Sequence, residues 1–314
     1  MTSKRKGDLH KGKLGWVFVS PWIIGFSCFT VIPLIVSFYL SFTEWNGFGG
    51  IGSAEWIGFK NYKNLFSAST KYGESFYAAL SNTLIYTVMA LIINFVIGII
   101  VAWAIAKKSK VNSVLRTLIY MPTMTISTAF AIMMDSIFGV KNQSLINRIL
   151  ARFSLPNQSW LATPGQAVWV MVLLCFWGIG GAMMTYLSGV KSIDEHIYEA
   201  AKIDGAGNMT LLIRICIPLM SGVIVYQIIM GLVFGLQVFD LAVGLSSIVG
   251  AGDGAMGRGN SLATLVFYLY NKSFVDGEFG MGSAIGWTIF FISLVASSGL
   301  LVFVQKTGFY SLDD

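Results

Sequence analysis

Long apolar runs separated by short polar segments set the hydrophobic pattern of this chain. A run of about 20 apolar residues is long enough for an α-helix to cross the hydrocarbon core of a bilayer. The pattern predicts six such spans, at about residues 14–42, 81–105, 115–138, 167–188, 218–245 and 282–304. We therefore expect the fold of an all-α polytopic membrane protein.

Prolines are expected to kink the first of these spans. Pro21 and Pro33 lie inside the first apolar run, where each removes a helical hydrogen bond and favours a kink. Pro122 lies in the third, beside a Ser/Thr-rich stretch whose hydroxyls can bond to the helix or to a neighbour. The first run is too long for a secretory signal peptide and lacks a small-residue cleavage site, so we expect it to be retained.

Composition and charge support a membrane location. Hydrophobic residues make up 55% of the 314 residues and charged residues only 11%, which a soluble domain of this length could not bury. A net charge of +6 would suggest nucleic acid in a soluble protein, but here the basic residues flank the apolar runs. The predicted inner side carries 13 Lys and Arg residues and the longer outer side 8, so both tails, 1–13 and 305–314, are expected inside the cell.

Residues 189–217, between the fourth and fifth spans, form the most polar segment in the second half of the chain. Ser192 followed by Glu195 predicts a capping box at the start of a short helix. Gly205 is placed to end that helix in the left-handed conformation, and a second helix is expected to begin near Asn208 as its N-cap.

The predicted short helix has an unusually bare surface. Ala200 and Ala201 follow Glu199 and leave the backbone nearly uncovered, a shape suited to a groove on a partner. We therefore interpret the segment as a docking element and not as a catalytic one.

This segment carries a resemblance to a known family. Glu199-Ala200-Ala201, Gly205, Ile215 and Pro218 resemble the EAA loop of the membrane subunits of binding-protein-dependent ABC importers. The run Ile203-Asp204-Gly205-Ala206 is similar to the carbohydrate-uptake branch of that family. Ile217 stands where the family usually has leucine, and Met209 where an aromatic residue is common.

The resemblance extends over nearly the whole chain. The runs Gly58-Phe59-Lys60-Asn61-Tyr62 and Tyr120-Met121-Pro122 also resemble sugar permeases. The long first apolar segment and the short C-terminal tail resemble the first of the two permeases in maltose and oligosaccharide importers.

The resemblance implies a fold, partners and a function. It implies the six-helix fold of an importer permease, which forms half of a pathway for a sugar, an oligosaccharide or a sugar derivative. The implied partners are a second, unlike permease in a heterodimer, two ATPase subunits and an external binding protein. The implied location is the bacterial cytoplasmic membrane. The residues that would couple to the ATPase are Glu199, Ala200, Ala201, Asp204, Gly205 and Pro218.

No catalytic or metal site is expected on this chain. It has no glycine-rich Walker loop, so ATP and Mg²⁺ are expected on the separate ATPase subunits. His10 and His196 lie in the tail and in the polar loop and cannot form a membrane-embedded active site. Cys28, Cys175 and Cys216 show neither a disulfide nor a zinc spacing.

The resemblance also implies a substrate path on the fourth and fifth spans. Gly231, Phe234, Gly235 and Val238 have the spacing i, i+3, i+4, i+7, which places all four on one helix face. Aromatic faces suit the apolar side of a sugar ring. The alternative is that the glycines are helix-packing contacts. The full predicted path is Trp177, Gly178, Gly181, Thr185, Gln227, Gly231, Phe234, Gly235 and Val238.

Other functions stay open at this point. An ion-coupled secondary transporter is weakened because only Asp135 and Asp240 are acidic within the predicted spans. For Asp240, a local structural role and a place on the transport path both remain. Glycerol phosphate, a polyol or an acidic saccharide is an alternative substrate, since Lys141, Arg148 and Arg152 make the loop before the fourth span positive.

Overall fold

The computed structural model of the chain describes residues 6–125, 129–130, 133–139, 144–163, 165–249 and 256–307. Within these described ranges, five helical segments are long and apolar enough to cross a membrane. They are Gly15–Leu40, Lys71–Ala104, Gln166–Ser192, Ser221–Ser247 and Phe279–Lys306. The all-α polytopic class predicted from the sequence is therefore confirmed.

Sixteen α-helices can be numbered among the described residues, several of them single turns within longer spans. In chain order, α1 to α8 are Lys6–Phe26, Ile32–Leu40, Lys60–Phe66, Lys71–Ala104, Lys110–Tyr120, Asp135–Phe138, Leu145–Arg152 and Gln166–Leu174. The second half contains α9 to α16, which are Ile179–Ser192, Glu195–Ile203, Asn208–Thr210, Ile217–Leu219, Ser221–Leu236, Asp240–Val249, Leu265–Tyr270 and Phe279–Lys306.

The third predicted span, 115–138, is not one continuous helix in the described residues. Helix α5 ends at Tyr120, a 3-10 turn covers Met121–Met124, and Thr125 is extended at φ −75° and ψ 133°. Pro122 accounts for the break because it has no N–H to continue the helical hydrogen bonds. Ser127 and Thr128, expected to bond within this span, lie outside the described residues.

The first and second spans differ from the prediction in detail. Pro33 lies in the first turn of α2, directly after the π-helical segment Ser27–Val31, while Pro21 lies within α1. Helix α4 begins at Lys71, ten residues before the predicted start. Thr70 caps it by accepting a hydrogen bond from the Gly73 N–H at 3.0 Å, so the helix begins in a polar segment that hydrophobicity alone did not include.

The described residues divide into two compact units. One runs to Lys63 and includes Lys272–Trp287; the other contains Asn64–Asn271 and the residues from Thr288 onward. In the first unit, strands Thr43–Glu44 (β1) and Glu55–Trp56 (β2) pair antiparallel, with Thr43 opposite Trp56. Asn61 ties α3 to this hairpin by donating to the Ser41 and Thr43 carbonyls at 3.0 and 2.9 Å.

Helix α4 is the central element of the second unit. A Cβ added at Gly98 would lie 3.1 Å from the Tyr186 ring, so small residues bring α4 close to α9. Toward α15, Thr83 Oγ1 accepts the Leu265 N–H at 3.0 Å. Near its start, the Asn82 amide donates to the carbonyls of Asn260 and Ala263 at 3.2 and 3.0 Å. The position of α4 is thus fixed along its length.

Candidate functional site

The polar loop contains the short helix α10, and its start differs from the prediction. Asp194 is the N-cap, with Oδ1 accepting the His196 N–H at 3.0 Å. The predicted capping box at Ser192 is wrong, because α9 continues to Ser192 and its hydroxyl donates to the Gly189 carbonyl at 2.8 Å. A serine inside a helical turn bonds backward along its own helix and is not free to cap the next one.

The end of α10 matches the prediction. Gly205 has φ +85°, the left-handed region, and its N–H bonds to the Lys202 carbonyl at 3.0 Å. The Ala206 N–H reaches the Ala201 carbonyl at 2.9 Å, which completes a Schellman motif. The following helix begins at Asn208 with Gly207 as N-cap, so the predicted N-cap at Asn208 is wrong by one position.

The outer surface of α10 and its neighbours is polar with exposed apolar side chains. No residue of α10 is buried. Ile203 is 86% exposed and Met209 is 69% exposed, while Glu199 lies 3.4 Å from His196 (Oε2 to Nδ1). Exposed large apolar residues on a polar loop indicate a surface that meets a partner.

The inner side of α10 is held by Tyr198. Its ring packs against Trp103 on the last turn of α4, with centroids 5.7 Å apart. Its hydroxyl donates to the Val190 carbonyl at 3.5 Å and also interacts with the Cys216 thiol. Burial raises the pKa of the Tyr198 hydroxyl, so this group stays neutral across the physiological pH range. Helix α10 is therefore anchored to α4.

A second residue stabilises the same end of α4. The Arg116 guanidinium on α5 donates to the Ile105 carbonyl from Nη2 at 2.6 Å and from Nε at 3.2 Å. It also reaches the Lys107 carbonyl at 3.3 Å. A cation on the free carbonyls at a helix C-terminus is favourable. The sequence prediction missed Tyr198, Trp103 and Arg116; the one available signal was that Tyr198 is the only tyrosine in residues 189–217.

A cavity of about 530 Å³ lies in the second unit, where three helical segments are interrupted. The interruptions are the 3-10 turn Met121–Met124, the 3-10 turn Cys175–Gly178 between α8 and α9, and residues 237–239 between α13 and α14. Irregular backbone at membrane depth is tolerated where it is buried in protein or lines a cavity. All three breaks contribute residues to this one cavity, whose volume is typical of a ligand pocket.

The cavity combines aromatic faces with polar groups. Trp177 stacks on Phe130 with centroids 4.7 Å apart and planes 20° from parallel, and it is 43% exposed. Phe234 is 65% exposed. The polar side chains that line the cavity are Tyr86, Asn94, Thr123, Thr125, Gln237 and Asp240. This arrangement can place an apolar ring face on an aromatic ring while hydroxyls meet amide, hydroxyl and carboxylate groups.

The structure brings four of the nine predicted path residues into the cavity wall: Trp177, Gly178, Phe234 and Val238. Gly231 and Gly235 instead pack on α4, where an added Cβ would lie 2.7 Å from Leu91 and Thr87, respectively. These two glycines are therefore helix-packing contacts, which was the alternative to a place on the substrate path. A Cβ at Gly181 would meet open space.

The remaining two path residues, Thr185 and Gln227, are half-buried and do not line this cavity. The helical spacing assumed for the fifth span does not reach Val238, because α13 ends at Leu236. Asp240, whose role the sequence left open, is exposed at the start of α14 and lines the cavity.

Apolar spans that break around one cavity, together with an anchored polar loop, define the class of a polytopic membrane transport protein. Comparison with known proteins gives the family. The chain belongs to the binding-protein-dependent transport system inner membrane components, whose sequence pattern matches residues 94–309.

Similar proteins are permeases of ABC transporters. The chain is 32% identical over 310 residues to the probable ABC transporter permease protein YesP of Bacillus subtilis (strain 168), covering 98% of this chain and 94% of that one. It is 29% identical to the arabinooligosaccharides transport system permease protein AraP of the same strain, with 90% and 85% coverage. It is 27% identical to the trehalose/maltose transport system permease protein MalF of Thermococcus litoralis, with 94% coverage of each chain.

A solved structure has the same fold. A chain in the crystal structure of a bacterial alginate ABC transporter, in complex with alginate pentasaccharide-bound periplasmic protein, superposes with a TM-score of 0.76 at 20% identity. The match covers 97% of this chain and 98% of that chain. The resemblance to ABC importer permeases drawn from the EAA-like residues is therefore confirmed at the level of family and fold. The chain has a membrane transport role that depends on a binding protein.

Proposed function

We propose that this chain forms half of the pathway by which an ABC importer moves an oligosaccharide or a sugar derivative into the cell. The observation that carries this proposal is the cavity at the three helix breaks, with Trp177 and Phe234 as ring platforms and polar groups around them. Relatives whose names include arabinooligosaccharides and trehalose/maltose support the same substrate class.

A neutral sugar fits this half of the pathway better than an anionic one. Asp240 contributes a carboxylate, and no Lys, Arg or His is among the described residues that line the cavity. A carboxylate beside the path opposes a phosphate or a uronate, since like charges repel. Glycerol phosphate and acidic saccharides are therefore the less favoured substrates, unless the other half of the pathway supplies positive charge.

The proposed assembly has a second, unlike permease subunit, two ATPase subunits that hold ATP and Mg²⁺, and an external binding protein. Both tails of this chain face the cytoplasm, as the distribution of Lys and Arg favours. The ATPase subunits grip α10 through Glu199, Ala200, Ala201, Asp204 and Gly205, while Pro218 lies in the first turn of α12 beyond the loop.

The contacts of α10 suggest how movement reaches the cavity. Tyr198 joins α10 to Trp103, and α4 continues from there to Asn94 in the cavity wall. Asn94 lies nine positions before Trp103 on α4, a distance of about 14 Å along one rigid element. Closure of the ATPase subunits would then move α4 as a rod and alternate access to the cavity.

The experiment uses the full chain, co-purified with its neighbouring permease and ATPase subunits and reconstituted in lipid. Candidate binding proteins loaded with a panel of neutral and acidic oligosaccharides are tested for stimulation of ATP hydrolysis and for uptake. Trp177→Ala is expected to lower uptake about three- to tenfold, because one aromatic contact contributes about 0.5–1.5 kcal/mol.

Phe176→Ala is the matched control for this experiment. Phe176 is 46% exposed, close to the 43% of Trp177, and it does not line the cavity. If Trp177→Ala and Phe176→Ala lower uptake equally, the cavity is not part of the transport pathway. Stimulation only by an acidic oligosaccharide would contradict the preference for a neutral sugar.

A further inference from the structure

Helix α7, in the loop before α8, has two chemically different sides. Its buried side is fixed by Asn147, which is fully buried. The Asn147 Nδ2 donates to the Gln158 carbonyl at 3.0 Å, and its Oδ1 accepts the Gln158 N–H at 3.1 Å. This pair of hydrogen bonds sets the rotation of α7 about its axis, so the side turned outward is defined.

The outward side carries an apolar line. Leu145, Ile149 and Phe153 are spaced i, i+4, i+8 and are 46%, 48% and 72% exposed. The helical period places Leu145 and Ile149 one above the other, away from Asn147, and Phe153, the C-cap residue directly after α7, continues the line. Large exposed apolar residues in line need a partner of their own, because they leave a continuous strip of apolar surface in water.

A basic line runs beside the apolar one. Arg148 and Arg152 are both exposed and lie four residues apart, next to Ile149 and Leu145 on the helix surface. The segment 139–166 contains no Asp or Glu, so no acidic side chain of the same loop offsets these charges. A short helix with apolar residues on its exposed side and arginines along the flank is typical of helices that lie in the headgroup region of a membrane.

The place of α7 in the chain puts it at a membrane surface. The loop that contains it leads into the span Gln166–Ser192, whose 27 residues extend about 40 Å as a helix. That span ends directly before α10. Helix α7 therefore lies on the side of the membrane opposite to α10, where lipid headgroups offer a partner that matches its apolar and basic residues.

We propose that α7 is a lipid-binding helix. Leu145, Ile149 and Phe153 enter the acyl boundary, and Arg148 and Arg152 bind the phosphates of anionic lipids. Because α7 immediately precedes the span whose break at Cys175–Gly178 lines the cavity, lipid at α7 holds the entrance of that span at a fixed depth. This site lies outside the proposed transport pathway and does not depend on the identity of the sugar.

The test measures membrane depth with a spin label on the full-length chain, co-purified with its partner subunits. The background is Cys28→Ser, because Cys28 is exposed while Cys175 and Cys216 are buried. Labels are placed at Ile149→Cys and, as a matched control, at Ala151→Cys, which is exposed on the same helix but off the apolar line. Nanodiscs of phosphatidylcholine, with and without phosphatidylglycerol, provide the two membranes.

The label at 149 is expected to collide more with oxygen than with a water-soluble nickel chelate, and the label at 151 to show the reverse. Phosphatidylglycerol should move the 149 label deeper. The double change Arg148→Gln and Arg152→Gln should abolish that shift and leave the depth of the 149 label in phosphatidylcholine unchanged. This result would distinguish the effect of the arginine charges from the effect of the apolar residues.

Three results would overturn the proposal. Equal oxygen-to-nickel ratios at 149 and 151 would show that the apolar line faces water. Shielding of the 149 label from both reagents only after a binding protein is added would make α7 a protein-docking surface. Shielding from both reagents without a binding protein would show a contact with a neighbouring subunit.

Discussion

The cavity and the polar loop differ in how far apart along the chain their residues lie. The loop around α10 spans fewer than 30 consecutive residues. Helix α10 begins after the cap Asp194 and ends before Gly205, and both of these residues belong to the loop itself. The cavity draws on Tyr86, Trp177 and Asp240, which are spread over about half of the chain. The loop contains one short helix with a capped start and a Schellman motif at its end, whereas the cavity forms where helices are interrupted. Docking therefore depends on local backbone geometry, and the pathway depends on how spans pack.

The largest expected effect tests how the cavity wall is packed. Gly235→Ala would place a Cβ 2.7 Å from Thr87, between α13 and α4. Overpacking of this kind costs about 1–3 kcal/mol, so the thermal unfolding temperature of the purified protein should fall. Gly181→Ala is the control, because its Cβ would meet open space. If both variants unfold at the same temperature, α13 does not pack closely on α4 at Gly235.

The next effect tests the local geometry of the loop. Gly205→Ala forces a side chain into the left-handed region at φ +85°, which costs about 1–2 kcal/mol. Uptake should fall about tenfold while the protein still inserts into the membrane, as measured by transport and by the amount of folded protein. The matched change Gly207→Ala, at φ −74° with open space around it, should have little effect. Loss of insertion in Gly205→Ala would make the loop a folding element.

A smaller effect tests whether the two regions are joined through α4. Tyr198→Ala removes the ring contact with Trp103, worth about 0.5–1.5 kcal/mol, and frees α10 from α4. The sugar transported per ATP hydrolysed should fall, while affinity for the sugar stays the same. Tyr198→Phe keeps the ring and should preserve most of the coupling. An unchanged transport-to-ATPase ratio in Tyr198→Ala would contradict the proposed route of movement.

The smallest effect concerns the charge in the cavity. Asp240→Asn removes the carboxylate but keeps the size of the side chain, so uptake of a neutral sugar should change by a factor of about two or less. Competition by an acidic oligosaccharide should become stronger because the repulsion is gone. Competition assays with matched neutral and acidic sugars measure this change. Unaltered competition by the acidic oligosaccharide would contradict the repulsion, and a lower yield of folded protein would show that Asp240 has a local structural role instead.

Much of the loop could be predicted from its own residues. The left-handed end at Gly205 was predicted correctly because only residues 201–206 take part in the motif. The capping prediction failed at Ser192 because the length of α9 is fixed by its packing in the spans, where Tyr186 and Met183 are buried. The four residues 189–192 thus belong to the helix of the span and not to the loop, and Asp194 is the cap of α10.

The cavity could be predicted only in part. Trp177 and Phe234 were identified because the resemblance to sugar permeases implied their positions, but Gly231 and Gly235, implied in the same way, pack on α4. Polar residues within apolar runs, such as Asn94 and Gln237, were the signal that was missed. Their role becomes visible only once the breaks at Pro122, Cys175–Gly178 and Gln237 are seen together.

The sequence by itself determined the membrane class, five of the six predicted spans as long apolar helices, the family, and the end of α10. The class, the spans and the end of α10 follow from hydrophobic length and local backbone preference, which act over a few to about 20 neighbouring residues. The family follows from the resemblance carried by the EAA-like residues of the loop. Only the tertiary structure decided where the spans break, which helix face meets α4 and which faces the cavity, and that Tyr198 links the loop to α4. These depend on contacts between residues far apart in the chain, whose energies no local pattern contains.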